Sequence, residues 1–214
     1  GVLQETLTDV AYGDETAGVT VSGVPSALGN IFEEDGSSTD GWTDANSILS
    51  IVDGGQLQIA TSTANQHAYK SVPELTGDFT WKFMIGYDSG GDGGGIALYD
   101  SDDSSWSGVP SSYARQLSVN MGNTNKMYTG AHTGSGWNSA SDMLCYNNSG
   151  GTEQSGFSSG DERWLTIDKE YTQYTVYVYT DAERNNLVCT DTRTFTDGGT
   201  SMAGFDTVSL FTKW

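Results

Sequence analysis

The amino-acid sequence predicts an all-β protein, a two-sheet antiparallel β-sandwich with an N-terminal arm. Three observations carry that expectation. The stretch from Asp78 alternates, with Phe79, Trp81, Phe83 and Ile85 on one side and Thr80, Lys82 and Met84 on the other. This period of two is that of a strand covering a core with one face. About a dozen such short segments follow one another, separated by Gly-, Asp-, Ser- and Asn-rich turn signals. No heptad, internal repeat or long helical periodicity interrupts them.

Residues 1–29 hold few aromatics and one strand-like piece, GVTVSG at 18–23, and read as an arm or linker before a compact domain at 30–214. The domain opens at Ile31-Phe32, passes an acidic turn and reaches Gly41-Trp42. Strands at 48–52 and 56–61 flank Asp53-Gly54-Gly55, a hairpin signal, with Leu57 and Ile59 inward and Gln56 and Gln58 outward. The strand from Gln66 is expected to stop at Pro73, which cannot continue a central strand. Phe79–Ile85 and Ile96–Asp100, joined by a glycine- and aspartate-rich loop, read as a second hairpin. Residues 115–121 alternate Leu117, Val119 and Met121 against Gln116, Ser118 and Asn120. Residues 122–160 read as a long loop region with at most a short strand near Met127, and they include His132 and Trp137. Strands resume at 163–168, 174–181, 187–195 and 205–213.

Composition narrows the function classes. The 214 residues carry 28 acids against 9 bases, a formal charge of −19, which speaks against nucleic acid and anionic membrane surfaces as partners. Aspartates (19) outnumber glutamates (9) and sit beside Gly and Ser, a loop preference. Solubility accounts for much of that charge. The sharper expectation is that some loop carboxylates hold a hard cation such as Ca2+. The candidate ligands are Asp88, Asp92, Asp100, Asp102 and Asp103, which fall at the two ends of one hairpin and are expected to converge in space.

The two cysteines, Cys145 and Cys189, lack any zinc spacing and fit one structural disulfide in an oxidising compartment. Asn147 begins a glycosylation sequon, Asn-Asn-Ser. No apolar run reaches the length of a membrane-spanning helix. A start at Gly1 reads as a processed chain or an excised module, and the expected location is extracellular, secreted or cell-surface.

The pieces IFEEDG, GWT, GGQLQI, LTGDFTWKFMI, GGIALYDS, ERWLTIDKEYTQYTVYVYTD and FDTVSLFT, in that order, resemble the concanavalin A-like lectin/glucanase superfamily, in particular its laminin-G-like jelly rolls. The resemblance spans roughly 31–214 and implies a jelly-roll sandwich. It does not imply one function, because the superfamily holds lectins, carbohydrate-binding modules, hydrolases, lyases and adhesive domains. Its glucanases carry Glu-x-Asp-x-x-Glu on one strand. The nearest stretch here, Glu33-Glu34-Asp35-Gly36-Ser37-Ser38, ends on Ser38, so the carboxylate pair needed for glycoside hydrolysis is incomplete. Neither His67 nor His132 has an arginine cluster for lyase chemistry. No catalytic residue is assigned.

Aromatic residues carry the binding expectation. Trp106, Tyr113 and Trp137 lie in Ser/Gly-rich loops, and alternation in 174–181 turns Tyr177 and Tyr179 outward opposite Val176 and Val178. Exposed flat rings beside amides suit a sugar's apolar face and hydroxyls. Cross-strand tyrosine pairing on a solvated sheet explains the last two equally well. The expectation is a non-catalytic module recognising a glycan or polysaccharide. The alternative is a self-associating subunit of a filament or coat, with the arm adding a strand to a neighbour; a glycoside hydrolase or polysaccharide lyase comes third.

Overall fold

The computed structural model describes residues 32, 36–52, 56–59, 66–86, 94–101, 116–122, 126–132, 161–194 and 204–212, without the side chains of 120–122, 126, 131 and 132. The arm lies outside them. Every described strand falls within the compact unit Asp35–Trp214. The strands are β1 (Leu49–Val52), β2 (Gln56–Ile59), β3 (His67–Leu75), β4 (Phe79–Gly86), β5 (Gly94–Tyr99), β6 (Gln116–Gly122), β7 (Lys126–His132), β8 (Glu162–Glu170), β9 (Gln173–Tyr179), β10 (Leu187–Thr194) and β11 (Phe205–Thr212). Among the described residues there is no helix.

All pairings are antiparallel and form three sheets: β1-β2, the four-stranded β10-β9-β8-β4, and the five-stranded β3-β11-β5-β6-β7. The β1–β2 hairpin forms at the expected place, with Val52 opposite Gln56. The two larger sheets meet edge-to-face where Phe79 of β4 and Phe205 of β11 lie 6.0 Å apart at 90°, a favoured aromatic geometry. Strand β11 enters between β3 and β5, so the last strand lies inside its sheet and not at an edge.

Three expectations are corrected. Strands β4 and β5 do not form a hairpin: β4 pairs with β8 and β5 with β6 and β11, so the chain crosses from one sheet to the other. Each strand carries apolar residues suited to a different sheet, and alternation cannot report which partner a strand takes. Strand β3 runs through Pro73 to Leu75. It is an edge strand, and its ladder skips from Ser71–Thr207 to Leu75–Phe205, so no bond from Pro73 is called for. Strand β7 is seven residues long and ends on His132, where at most a short strand near Met127 is expected.

Alternation holds in the four-stranded sheet except at Thr166, which is buried on its outer face. Leu165, Ile167, Tyr174, Val176 and Val178 are buried, while Thr190, Thr192 and Thr194 are exposed on the other face of β10. Trp81 and Phe83 are only half-buried, with ring centroids 4.4 Å apart, because β4 is a sheet edge. The five-stranded sheet departs from the expected one-sided burial. One face carries Leu98, Leu117, Val119 and Val208, and the opposite face buries Ala97, Tyr99 and Phe211 together with Gln116, Ser118, Thr207 and Ser209.

Two turns are fixed by side chains. Tyr171, between β8 and β9, adopts φ 48°, and its N–H donates to Asp78 Oδ1 at 2.6 Å. The buried Lys169 Nζ donates to Gly77 O at 3.0 Å, with Asp78 at 3.6 Å, so the β8–β9 turn is tied to the β3–β4 turn. Between β9 and β10, Asp181 accepts the N–H groups of Asn185 (3.0 Å) and Asn186 (2.7 Å). These donors, that of Asn185 foremost, hold its carboxyl below the usual range.

Candidate functional site

Strand registers give the outer face of the four-stranded sheet as successive rows. Met84 stands opposite Trp164, Trp164 opposite Tyr179, and Tyr179 opposite Leu187. The next row is Lys82, Thr166, Tyr177 and Thr190, followed by Thr80, Asp168, Thr175 and Thr192. Neighbouring strands lie about 4.8 Å apart and successive same-face residues about 6.6 Å apart. Trp164, Tyr177 and Tyr179 therefore form one contiguous aromatic group.

The three rings are half-buried, and Leu187 beside them is 52% exposed. A bulge at Val188, between the Leu187–Tyr179 and Cys189–Val178 pairs, keeps Leu187 on this face. Hydroxyl groups border the rings: Thr175 and Thr192 bond each other at 3.1 Å, and Thr80 donates to Asp168 Oδ1 at 2.7 Å. On the far side Gln56 Nε2 donates to Glu162 Oε1 at 3.2 Å. The result is a flat apolar strip flanked by hydroxyls and amides. Such a surface can stack on the face of a ring and bond groups at that ring's edge.

Of the expected binding residues, Tyr177 and Tyr179 are brought together here. Trp106, Tyr113 and Trp137 lie outside the described residues. The sequence reading missed Trp164. Its signal was available, since Leu165 and Ile167 alternate inward and leave Trp164, Thr166 and Asp168 outward. Which residues flank it required the register.

Of the expected metal ligands only Asp100 is described; Asp88, Asp92, Asp102 and Asp103 are not. Asp100 is buried at the end of β5, and its Oδ2 lies 3.7 Å from where a Cβ on Gly204 would stand, with Glu74 Oε1 3.6 Å from the same point. Gly204 has φ 89°, a left-handed value that glycine adopts without strain. Asp206 nearby accepts from Ser101 N at 2.9 Å, from Ser101 Oγ and from Thr207 Oγ1 at 3.1 Å, which commits it to fastening this corner. Among the described residues no group of three His, Cys, Asp or Glu side chains fits a metal ion. The hairpin that grouped these aspartates does not form.

Cys189, on β10, is disulfide-bonded; Cys145 and Asn147 lie outside the described residues. Two polar groups on the five-stranded sheet also stand out. The Gln116 amide is fully buried with neither Oε1 nor Nε2 hydrogen-bonded, and His67 Nδ1 is buried without a partner. Each such orphan costs about 1–3 kcal/mol. Burial pushes the His67 imidazole below its ordinary range and the Tyr99 phenol above its own.

No family model and no curated protein matches the chain. Among solved structures it is similar to the exoplasmic/lumenal domain of VIP36 in its Ca2+-bound form, at 14% identity over 81% of this chain and 76% of that one, with a TM-score of 0.53. It is also similar to the CBM2 module of the evolved Dit of Lactobacillus casei BL23 phage J-1, at 10% identity over 86% of this chain and 87% of that one, with a TM-score of 0.51. The likeness bears out the all-β jelly-roll sandwich. Likeness at such identity speaks to the fold alone, and the site is argued from its own residues.

Proposed function

We propose that this chain is a non-catalytic module that recognises carbohydrate. The observation that carries the reading is the row placing Trp164 beside Tyr179, with Tyr177 in the next row, between hydroxyl-bearing strands. A pyranose presents an apolar C–H face and an equatorial rim of hydroxyls. The three rings supply the stacking surface, and Thr190, Thr175 and Thr192 supply rim donors and acceptors. Binding without catalysis fits this face, whose nearby carboxylates, Asp168 and Glu162, are each engaged by a neutral donor. Trp106, Tyr113 and Trp137 are proposed to extend the contact from the loops.

The module is proposed to work outside the cell, with Cys145 paired to Cys189 and Asn147 open to glycosylation where the host performs it. Calcium is assigned to the acidic segments at Asp88–Asp92 and Asp100–Asp103 as a structural ion. Asp100 is the one described residue that would contribute, and a full shell needs six to eight oxygens.

The test is a glycan array with the full chain, followed by titration of the best ligand. Trp164→Ala and Tyr179→Ala should each weaken binding roughly 3- to 10-fold or more, the worth of a stacking ring, while both variants keep the wild-type β-sheet circular dichroism. Binding unchanged in both variants removes this face as the site. An absence of any glycan ligand, with polymers that vanish on deleting residues 1–29, favours the assembly alternative.

A further inference from the structure

We propose that the ligand of this face carries a carboxylate or other anionic group, and that Lys82 is the residue that reads it. The inference rests on the carbohydrate reading and narrows its ligand class to acidic glycans. In a chain of 28 acids and 9 bases, an exposed base has many carboxylates available to it. Four of the described bases use them or find other acceptors. Arg163 pairs with Asp161, Lys169 with Asp78 and Arg193 with Asp191, while Arg184 donates to the carbonyls of Ala182 and Leu165. Lys82 is exposed on β4, opposite Thr166, and among the described residues no carboxylate lies within ion-pair distance of it.

The neighbouring carboxylates are not simply missing. Asp168 is diagonal to Lys82, and its Oδ1 accepts from Thr80 at 2.7 Å; Glu162, two rows away, accepts from Gln56 at 3.2 Å. A neutral donor thus engages each of the two acids that flank the aromatic group, and among the described residues neither pairs with the ammonium. The two rows Met84–Trp164–Tyr179–Leu187 and Lys82–Thr166–Tyr177–Thr190 contain no carboxylate and one charge, which is positive. At physiological salt, charges beyond about 8 Å are largely screened, so a ligand on these rows meets Lys82, together with Asp168 and Glu162 in the bordering rows, ahead of the rest of the chain's net −19. With Tyr177 two strands away in the same row, a sugar stacked on the rings brings an acidic substituent within reach of Nζ.

A competing role exists, because β4 is an edge strand and lysine on an edge discourages pairing with another chain. The experiment separates the two. Affinities of the full chain are measured for tetramers of galacturonate and mannuronate, each beside its carboxyl-reduced neutral counterpart. The wild type should prefer an acidic tetramer over its neutral form. Lys82→Gln should remove most of that preference, weakening the acidic tetramer roughly 3- to 10-fold and leaving the neutral one unchanged. Lys82→Arg should restore it, and Trp164→Ala should weaken both forms. Equal affinity for acidic and neutral tetramers overturns the inference and leaves the carbohydrate reading standing. So does a Lys82→Gln chain that self-associates by light scattering but keeps its preference. A wild type that binds no glycan at all overturns both.

Discussion

Gly94→Ala is expected to destabilise the fold for a reason that can be worked from one distance. Gly94 stands opposite Thr212 in the β5–β11 ladder. A Cβ at Gly94 would lie 2.6 Å from the Phe211 carbonyl oxygen, with Phe211 C at 3.6 Å and Thr212 Cα at 3.7 Å. All three are backbone atoms, so no side-chain rotation relieves the clash. An ordinary C···O approach is about 3.3 Å, which asks β11 to retreat by roughly 0.7 Å. That strand is bonded on both sides, to β3 and β5, and Phe211 is buried against Ala97 and Tyr99. Overpacking of this kind costs about 1–3 kcal/mol, and a backbone obstacle in a central strand belongs in the upper part of that range. At about 2–4 °C per kcal/mol for a chain of this size, a loss of about 2–3 kcal/mol lowers Tm by roughly 4–12 °C. Gly77→Ala is the control: nothing lies within 4 Å of its Cβ, so Tm should hold or rise slightly as the unfolded chain loses freedom. Thermal unfolding followed by circular dichroism at one pH reads both. A Gly94→Ala chain that melts with the wild type would refute the packing of β5 against β11 described above.

Three further outcomes are expected. Burial depresses the His67 imidazole, so near pH 6.5 and below the unfolded chain binds a proton that the folded one refuses. Stability should therefore fall as pH drops through that window and level off below the folded value; His67→Gln should show a smaller loss between pH 7.5 and 5.5, and equal slopes would contradict the assignment. The unreduced, denatured chain should show no reactive thiol, and reduction should lower stability by roughly 4 kcal/mol, the chain-entropy value for a loop of about 45 residues; two titratable thiols would rule out the Cys145–Cys189 bridge. Chelation should lower Tm and added calcium restore it if the loop aspartates hold an ion, whereas a Tm indifferent to both removes calcium.

What the sequence determined by itself was the local order. Side chains alternate in a strand whatever it pairs with, so β8, β9, β10 and β11 were legible with their ends nearly right, as was the outward turn of Tyr177 and Tyr179. The β1–β2 hairpin was legible for the same reason, since its closing turn is written in three adjacent residues. Partnership was not legible. The crossing between β4 and β5, the insertion of β11 between β3 and β5, and the row that sets Trp164 beside Tyr179 all depend on pairs far apart in the chain. Period-two patterning tells a strand which face it buries and is silent about its neighbours. Burial of both faces in the five-stranded sheet was hidden likewise. Gln116 and Ser118 read as an outward polar face, and only tertiary packing, which covers that face as well, made them interior. Lys82 was visible from the start as an outward lysine. That its nearest carboxylates are already bonded to Thr80 and Gln56 was decided by strands brought together across most of the chain.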